Sequence, residues 1–124
     1  MTLVDASIII EYLQSRSSQL LTLMQSNGAA ICGVTRAEVL AGSRNPKQRQ
    51  SLTALLDSLS QITLDDSLWD EVGDHLATLR AAGVTVPFPD AILSTLAISL
   101  DIPLWTRDQH FSLIQRLFPS LKLV

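Results

Sequence analysis

Apolar residues in this chain fall into two kinds of run that alternate from one end to the other. Short, continuous apolar stretches read as buried strands: Thr2-Leu3-Val4, Ala29 to Val34, Gln61 to Leu64 and Leu104-Trp105-Thr106, with a last one at Leu121 to Val124. Between them, apolar residues recur at helical spacing. A first helix runs from about Ser7 through Leu13, and a second carries Leu20, Leu23 and Met24 before the stop signal Asn27-Gly28. Thr35-Arg36-Ala37-Glu38 has the form of a capping box opening a short helix that Gly42 ends. Asn45-Pro46 pairs a cap with proline at the first helical position, and Leu52, Leu55, Leu56 and Leu59 form the stripe that follows.

The second half continues in the same way. Asp66 is placed to cap a helix bearing Leu68, Trp69, Val72, Leu76 and Leu79, which Gly83 ends. Two prolines hold Val84 to Pro89 extended. A helix opening at Asp90 buries Ile92, Leu93, Leu96, Ala97 and Leu100; Asp101-Ile102-Pro103 turns the chain, and a final helix covers about Phe111 to Leu117. Strands alternating with amphipathic helices predict an α/β fold, a central, mainly parallel sheet with helices on both faces. No repeat, low-complexity stretch or linker divides residues 1–124, which predicts one domain.

Composition sharpens this picture in two places. Hydrophobic residues make up 47% and charged ones 17%, so few charges are available to cover the outside, and part of the apolar surface is expected to face a partner or a second copy. The net charge of −3 argues against bulk electrostatic attraction to nucleic acid, although a cation in an acidic site adds positive charge where it counts. Cys32 is the only cysteine, which excludes an intramolecular disulfide and a cysteine metal site, and it reads as a buried hydrophobe. Without a signal-like or membrane-length apolar run, a cytoplasmic setting is expected.

In open parallel sheets ligands bind beyond the carboxyl ends of the strands. Asp5 and Asp108 fall there directly, and Glu38 and Asp90 begin helices expected to start at the same edge. Each has an ordinary alternative: Asp5 and Asp90 as helix caps, Glu38 as the partner of Thr35, Asp108 as a turn residue. Together they make a concentration of negative charge that a hard divalent cation, Mg²⁺ or Mn²⁺, would relieve.

Leu3-Val4-Asp5-Ala6-Ser7, Thr35-Arg36-Ala37-Glu38-Val39-Leu40-Ala41-Gly42, Pro89-Asp90-Ala91-Ile92 and Thr106-Arg107-Asp108-Gln109-His110-Phe111 occur in the order of PIN-domain motifs. The chain resembles in particular the VapC-like toxins of bacterial and archaeal toxin–antitoxin pairs, over nearly its whole length. That resemblance implies a three-layer α/β/α sandwich and an endoribonuclease using one or two Mg²⁺ or Mn²⁺ ions. It also implies inhibition by a cognate VapB-like antitoxin. Asp5, Glu38, Asp90 and Asp108 are then the acidic site, with Asp5, Asp90 and Asp108 as the main metal ligands and Glu38 as the residue that orients or deprotonates water. Ser7 and Thr106 match hydroxyl positions beside the carboxylates. The resemblance further implies that cleavage leaves a 5′-phosphate and a 3′-hydroxyl. Many relatives carry a further acid two residues after the position of Asp108; here that residue is His110, which puts a second metal ion in question.

Arg36 and Arg107 neighbour motif carboxylates in sequence, and Arg44, Lys47 and Arg49 form the only compact basic group, so Arg36, Arg44 and Arg107 are the candidates for contact with RNA phosphates. His75 reads as a surface residue, and Trp69 and Trp105 as core. A groove for an antitoxin's helix or the face of a homodimer would account for the low charged fraction. The competing readings are a catalytically silent PIN-fold interaction module and a receiver-like Mg²⁺-binding phosphoacceptor. The latter lacks the acidic pair near the first strand and the lysine that such a domain needs.

Overall fold

Residues 1–124 are described by a computed structural model. Four strands, β1 (Thr2–Val4), β2 (Ala29–Cys32), β3 (Ser60–Ile62) and β4 (Leu104–Trp105), form one sheet in the order β3-β2-β1-β4, every pair parallel. Leu3 pairs with Ala30 on one side and Leu104 on the other. Seven helices connect and cover the strands: α1 (Ala6–Ser15), α2 (Ser18–Ser26), α3 (Gly33–Ala41), α4 (Pro46–Asp57), α5 (Ser67–Ala81), α6 (Phe88–Leu100) and α7 (His110–Leu117). The expected layered α/β/α architecture is present.

Side-chain alternation along the strands divides the interior in two. Leu3, Cys32 and Leu104 point into a core with α5, α6 and α7, whose fully buried members include Leu79, Leu93, Phe111 and Ile114. Val4, Ile31 and Trp105 point the other way, onto Ile8, Ile9, Met24 and Leu56 of α1, α2 and α4. Leu3 has no exposed surface, so Leu3→Ala would cost about 2–5 kcal/mol through lost burial and the cavity left behind.

Local chemistry sets most helix ends where the pattern places them. Asn45 Oδ1 accepts the Gln48 N–H at 2.8 Å with Pro46 at the first helical position of α4. Gly83, at φ 77°, closes α5 while the Val84 N–H returns to Leu79 O at 2.8 Å.

Several details differ from the sequence pattern. α3 starts at Gly33 directly from β2, so Thr35 lies inside the helix and its buried hydroxyl donates to Val4 O (3.3 Å), with no capping box. α6 starts at Phe88, before Asp90, because prolines at 87 and 89 sit where a helix start has no use for their missing N–H. Asp66 makes no side-chain cap; Asp65 Oδ1 accepts the Ser67 N–H instead. The terminal strand reduces to a single bridge, Leu104 to Leu123. Trp69 lies on the outer side of α5 and is 44% exposed, whereas Trp105 is buried as expected. No helix is long and apolar enough to cross a membrane.

The strand order locates the site. The chain moves outward from β1 through β2 to β3, then returns to place β4 on the opposite side of β1. Loops leaving β1 and β4 therefore part in opposite directions and open a crevice at the carboxyl ends of those two strands.

Candidate active site

Asp5 follows β1 immediately and is anchored where the two central strands end, its N–H donating to Trp105 O at 3.0 Å. It stands at the cap position of α1 but does not cap it. Its Oδ2 instead accepts from Ser7 Oγ and from Thr106 Oγ1, both at 2.8 Å. Each hydroxyl has one proton, and both protons are used on Asp5; the 3.4 Å approach of Ser7 Oγ to Thr106 Oγ1 is therefore a contact without a hydrogen bond of its own. The same hydroxyls accept from the loop after β4, Ser7 Oγ from the Arg107 N–H and Thr106 Oγ1 from the Asp108 N–H, each at 3.0 Å. Asp108 Oδ1 in turn accepts the His110 N–H at 2.9 Å and opens α7. One carboxylate at the end of β1 thus organises the whole β4–α7 loop.

Asp90 reaches the same crevice from the first turn of α6, a helix whose residues 90–97 are all buried. Its Oδ2 is buried without a hydrogen-bond partner. Burial is the main reason that its pKa is pushed up to about 6, with the charges of Asp108, Asp5 and Glu38 adding to the effect and His110 opposing it. Glu38 arrives on α3, one turn beyond the Thr35 anchor. Its side chain reaches solvent, yet partial burial, and then the charge of Asp5, raise its pKa. The four expected acids therefore share one electrostatic field at one edge of the sheet.

A sequence-family comparison identifies residues 2–117 as a PIN domain. The chain belongs to the PIN domain family. Among solved structures, this PIN domain is similar to VapBC2 from Rickettsia felis bound to a DNA fragment from its promoter (TM-score 0.83, 22% identity, 99% of this chain and 96% of that chain covered). It is also similar to VapBC-1 from nontypeable Haemophilus influenzae (TM-score 0.81, 20% identity, 99% and 96% covered). DNA-bound VapBC from Salmonella typhimurium gives a TM-score of 0.81 at 17% identity, again with 99% and 96% covered. At these identities the likeness is one of fold. No sequence among curated proteins matches the chain significantly.

The PIN domain site fits a divalent cation on its own evidence. An orphaned, buried carboxylate oxygen is costly, and a cation supplies the missing partner. Ligand atoms of Asp90, Asp108 and His110 lie within 4.8 Å of one another. Asp5 stands outside that group of three, its Oδ2 already engaged by two hydroxyls.

Of the expected basic residues, Arg36 is engaged by Asp57 at 2.8 Å and Arg107 by Glu11 at 2.9 Å. Arg44 forms no ion pair and lines a cleft of about 390 Å³ together with Glu38. Arg116, which the sequence did not single out, lines a second depression of about 490 Å³ with Gln109, His110 and Ser112. Its signal was the α7 face spacing of 109, 112, 113 and 116, which starts beside Asp108. His75 is not a free surface residue: it is half-buried, stacked on Phe118 at a centroid distance of 4.3 Å, with Nδ1 2.8 Å from Thr95 Oγ1. Thr95 gives its own proton to Ala91 O at 2.7 Å, so His75 Nδ1 is the donor; burial lowers the pKa of the ring.

Proposed function

We propose that this PIN domain is a metal-dependent endoribonuclease, the toxin of a toxin–antitoxin pair, acting in the cytoplasm through Asp5, Glu38, Asp90 and Asp108. The observation that carries the reading is Asp90: a buried carboxylate with an unpartnered oxygen, among three other acids, at the crevice where strand order reverses. A purely structural carboxylate would be hydrogen-bonded or absent. This retention of an unfavourable charge cluster also disfavours a silent interaction module.

Asp90 and Asp108 would hold the cation, Mg²⁺ or Mn²⁺, with Asp5 facing it from the end of β1. What a bound divalent ion supplies is positive charge, which offsets the carboxylates and the phosphate oxygens and acidifies water. Ser7 and Thr106 fix Asp5 and, through the Arg107 and Asp108 amides, fix the loop that presents Asp108. Glu38, at the solvent side with a raised pKa, is the group suited to take a proton from water at its carboxylate as that water attacks phosphorus. With the 3′-oxygen as the leaving group, as the resemblance to VapC-like toxins implies, the products are a 5′-phosphate and a 3′-hydroxyl. Arg44 and Arg116, free of internal ion pairs and on clefts that contain Glu38 and His110, are placed to steer the RNA backbone.

The partner reading is supported by apolar surface. Tyr12, Leu13, Leu52 and Leu55 line a groove of about 300 Å³ between α1 and α4 that meets the Glu38–Arg44 cleft at Leu13, Gln48 and Leu52. A short amphipathic segment of an antitoxin laid there would cover this surface and reach the acidic site. Ile10, Leu23 and Leu113 remain exposed, and a homodimer would cover part of them. The deciding experiment is cleavage of mixed cellular RNA by antitoxin-free protein with Mg²⁺ or Mn²⁺, against EDTA and Asp5→Asn. Discrete fragments only in the metal-containing wild-type reaction are expected; cleavage undiminished in Asp5→Asn would overturn the mechanism.

A further inference from the structure

His110 takes no part in the mechanism above, yet its ring stands between two of the carboxylates. Nδ1 lies 3.1 Å from Asp108 Oδ1 and 3.5 Å from Asp90 Oδ2. The longer of these leaves Asp90 Oδ2 without a hydrogen bond, buried in a residue that is only 9% exposed. Adjacent ligands of a six-coordinate ion with bonds of about 2.1 Å lie about 3 Å apart, close to both spacings. The backbone that carries the ring is anchored: Asp108 Oδ1 holds the His110 N–H, and Phe111 and Ile114 seat α7 in the core.

We propose that His110 Nδ1 is a third ligand of the cation held by Asp90 and Asp108, and that this nitrogen shifts the site's preference from Mg²⁺ toward first-row transition ions. The proposal rests on the reading of the site as a metal centre. Neutral imidazole offers one lone pair and carries one proton. With the ring's proton on Nε2, the Nδ1 lone pair is free to face a cation beside Asp108, and the same ion would give Asp90 Oδ2 the partner it lacks. Mg²⁺ favours oxygen ligands, whereas affinity for a mixed nitrogen and oxygen set rises from Mn²⁺ through Co²⁺. A carboxylate at position 110 would give an all-oxygen site.

The test is calorimetric titration of Mg²⁺, Mn²⁺ and Co²⁺ into the wild type, His110→Ala, His110→Asp and Asp90→Asn, with ¹⁵N spectra of the two histidine rings under Zn²⁺. Expected are a Zn²⁺-dependent shift of His110 Nδ1 with His75 unmoved, and about a tenfold loss of Mn²⁺ and Co²⁺ affinity in His110→Ala, with Mg²⁺ affinity reduced less. His110→Asp should bind Mg²⁺ more tightly and narrow the ratio of Co²⁺ to Mg²⁺ affinity. The side chain of His110 is 54% exposed, so these variants should fold, which circular dichroism checks. If ions bind the wild type and are lost in Asp90→Asn, while His110→Ala binds all three as the wild type does, the proposal is overturned and the metal-site reading stands. If no ion binds the wild type, or Asp90→Asn binds unchanged, that reading fails and the proposal with it.

Discussion

Two carboxylates in this molecule are almost equally hidden and otherwise opposite. Asp5 is 7% exposed and Asp90 9%. Asp5, at the end of β1, receives two hydroxyl protons on one oxygen and through them holds the β4–α7 loop. Asp90, in the first turn of α6, has an oxygen with no donor, and its pKa rises to about 6. Burial alone therefore does not distinguish a carboxylate satisfied by the protein's own donors from one with an unpartnered oxygen. The donors around it do. Asp5 is completed by the protein, and Asp90 would be completed by something the protein binds.

The strongest way to break this contrast is to neutralise each acid in turn. Asp5→Asn and Asp90→Asn should each lower RNA cleavage by about 10³-fold or more, as loss of a charge that positions the transition state does. Their effects on metal-free stability should have opposite signs. Asp5→Asn disturbs satisfied hydrogen bonds and should cost about 1 kcal/mol. Asp90→Asn removes an unpaired charge and should stabilise the protein by on the order of 1–2 kcal/mol at pH 7, after allowing for solvent at the mouth of the site. Because the folded pKa of Asp90 lies above its unfolded value, its contribution to stability is fully present below pH about 4 and is lost as pH rises through about 6. Melting temperatures of the metal-free wild type should include that decline, and Asp90→Asn should lack it; destabilisation by both variants would erase the distinction.

Glu38→Gln should reduce cleavage by about 10²-fold and remove the fall in rate on the acidic side of the wild-type pH profile, since the raised pKa of Glu38 sets where that base becomes protonated. A profile unchanged in the variant would assign the proton elsewhere. Smaller again is Thr106→Val, which deprives Asp5 of one donor and the Asp108 amide of its acceptor. It should cost about 1–2 kcal/mol in denaturant unfolding and about tenfold in cleavage. Smallest is Arg116→Ala, in the last turn of α7. It should leave stability within about 0.5 kcal/mol. RNA affinity should weaken, with the slope of log affinity against log salt lower by about 0.7.

The sheet and its acidic edge were legible because short apolar strands ending in Asp5 and the Thr106–Asp108 loop leave little other reading. Asp90 was legible as an acid at a helix start, but its solitude was not, since that depends on Asp108 and His110 arriving from another part of the chain. The capping-box reading of Thr35 failed because a spacing cannot tell a hydroxyl that caps its own helix from one that bonds a neighbouring strand at Val4. His75 was misread for the same reason: Phe118 and Thr95, which enclose it, lie 43 and 20 residues away in sequence. Arg36 and Arg107 were promising by adjacency to motif acids, and their actual partners, Asp57 and Glu11, are 21 and 96 residues away.

The β3-β2-β1-β4 order has a consequence for how the protein comes into being. β1, the first strand of the sheet in chain order, is flanked on one side by the last, and the hydroxyl of Thr106 that steadies Asp5 is about a hundred residues from it. Asp5 and Glu38 are synthesised before either the second wall of the crevice or Asp108, which follow only with β4 and the loop after it. A nascent chain interrupted before β4 cannot assemble the four acids, so the acidic site closes only with the last strand of the sheet.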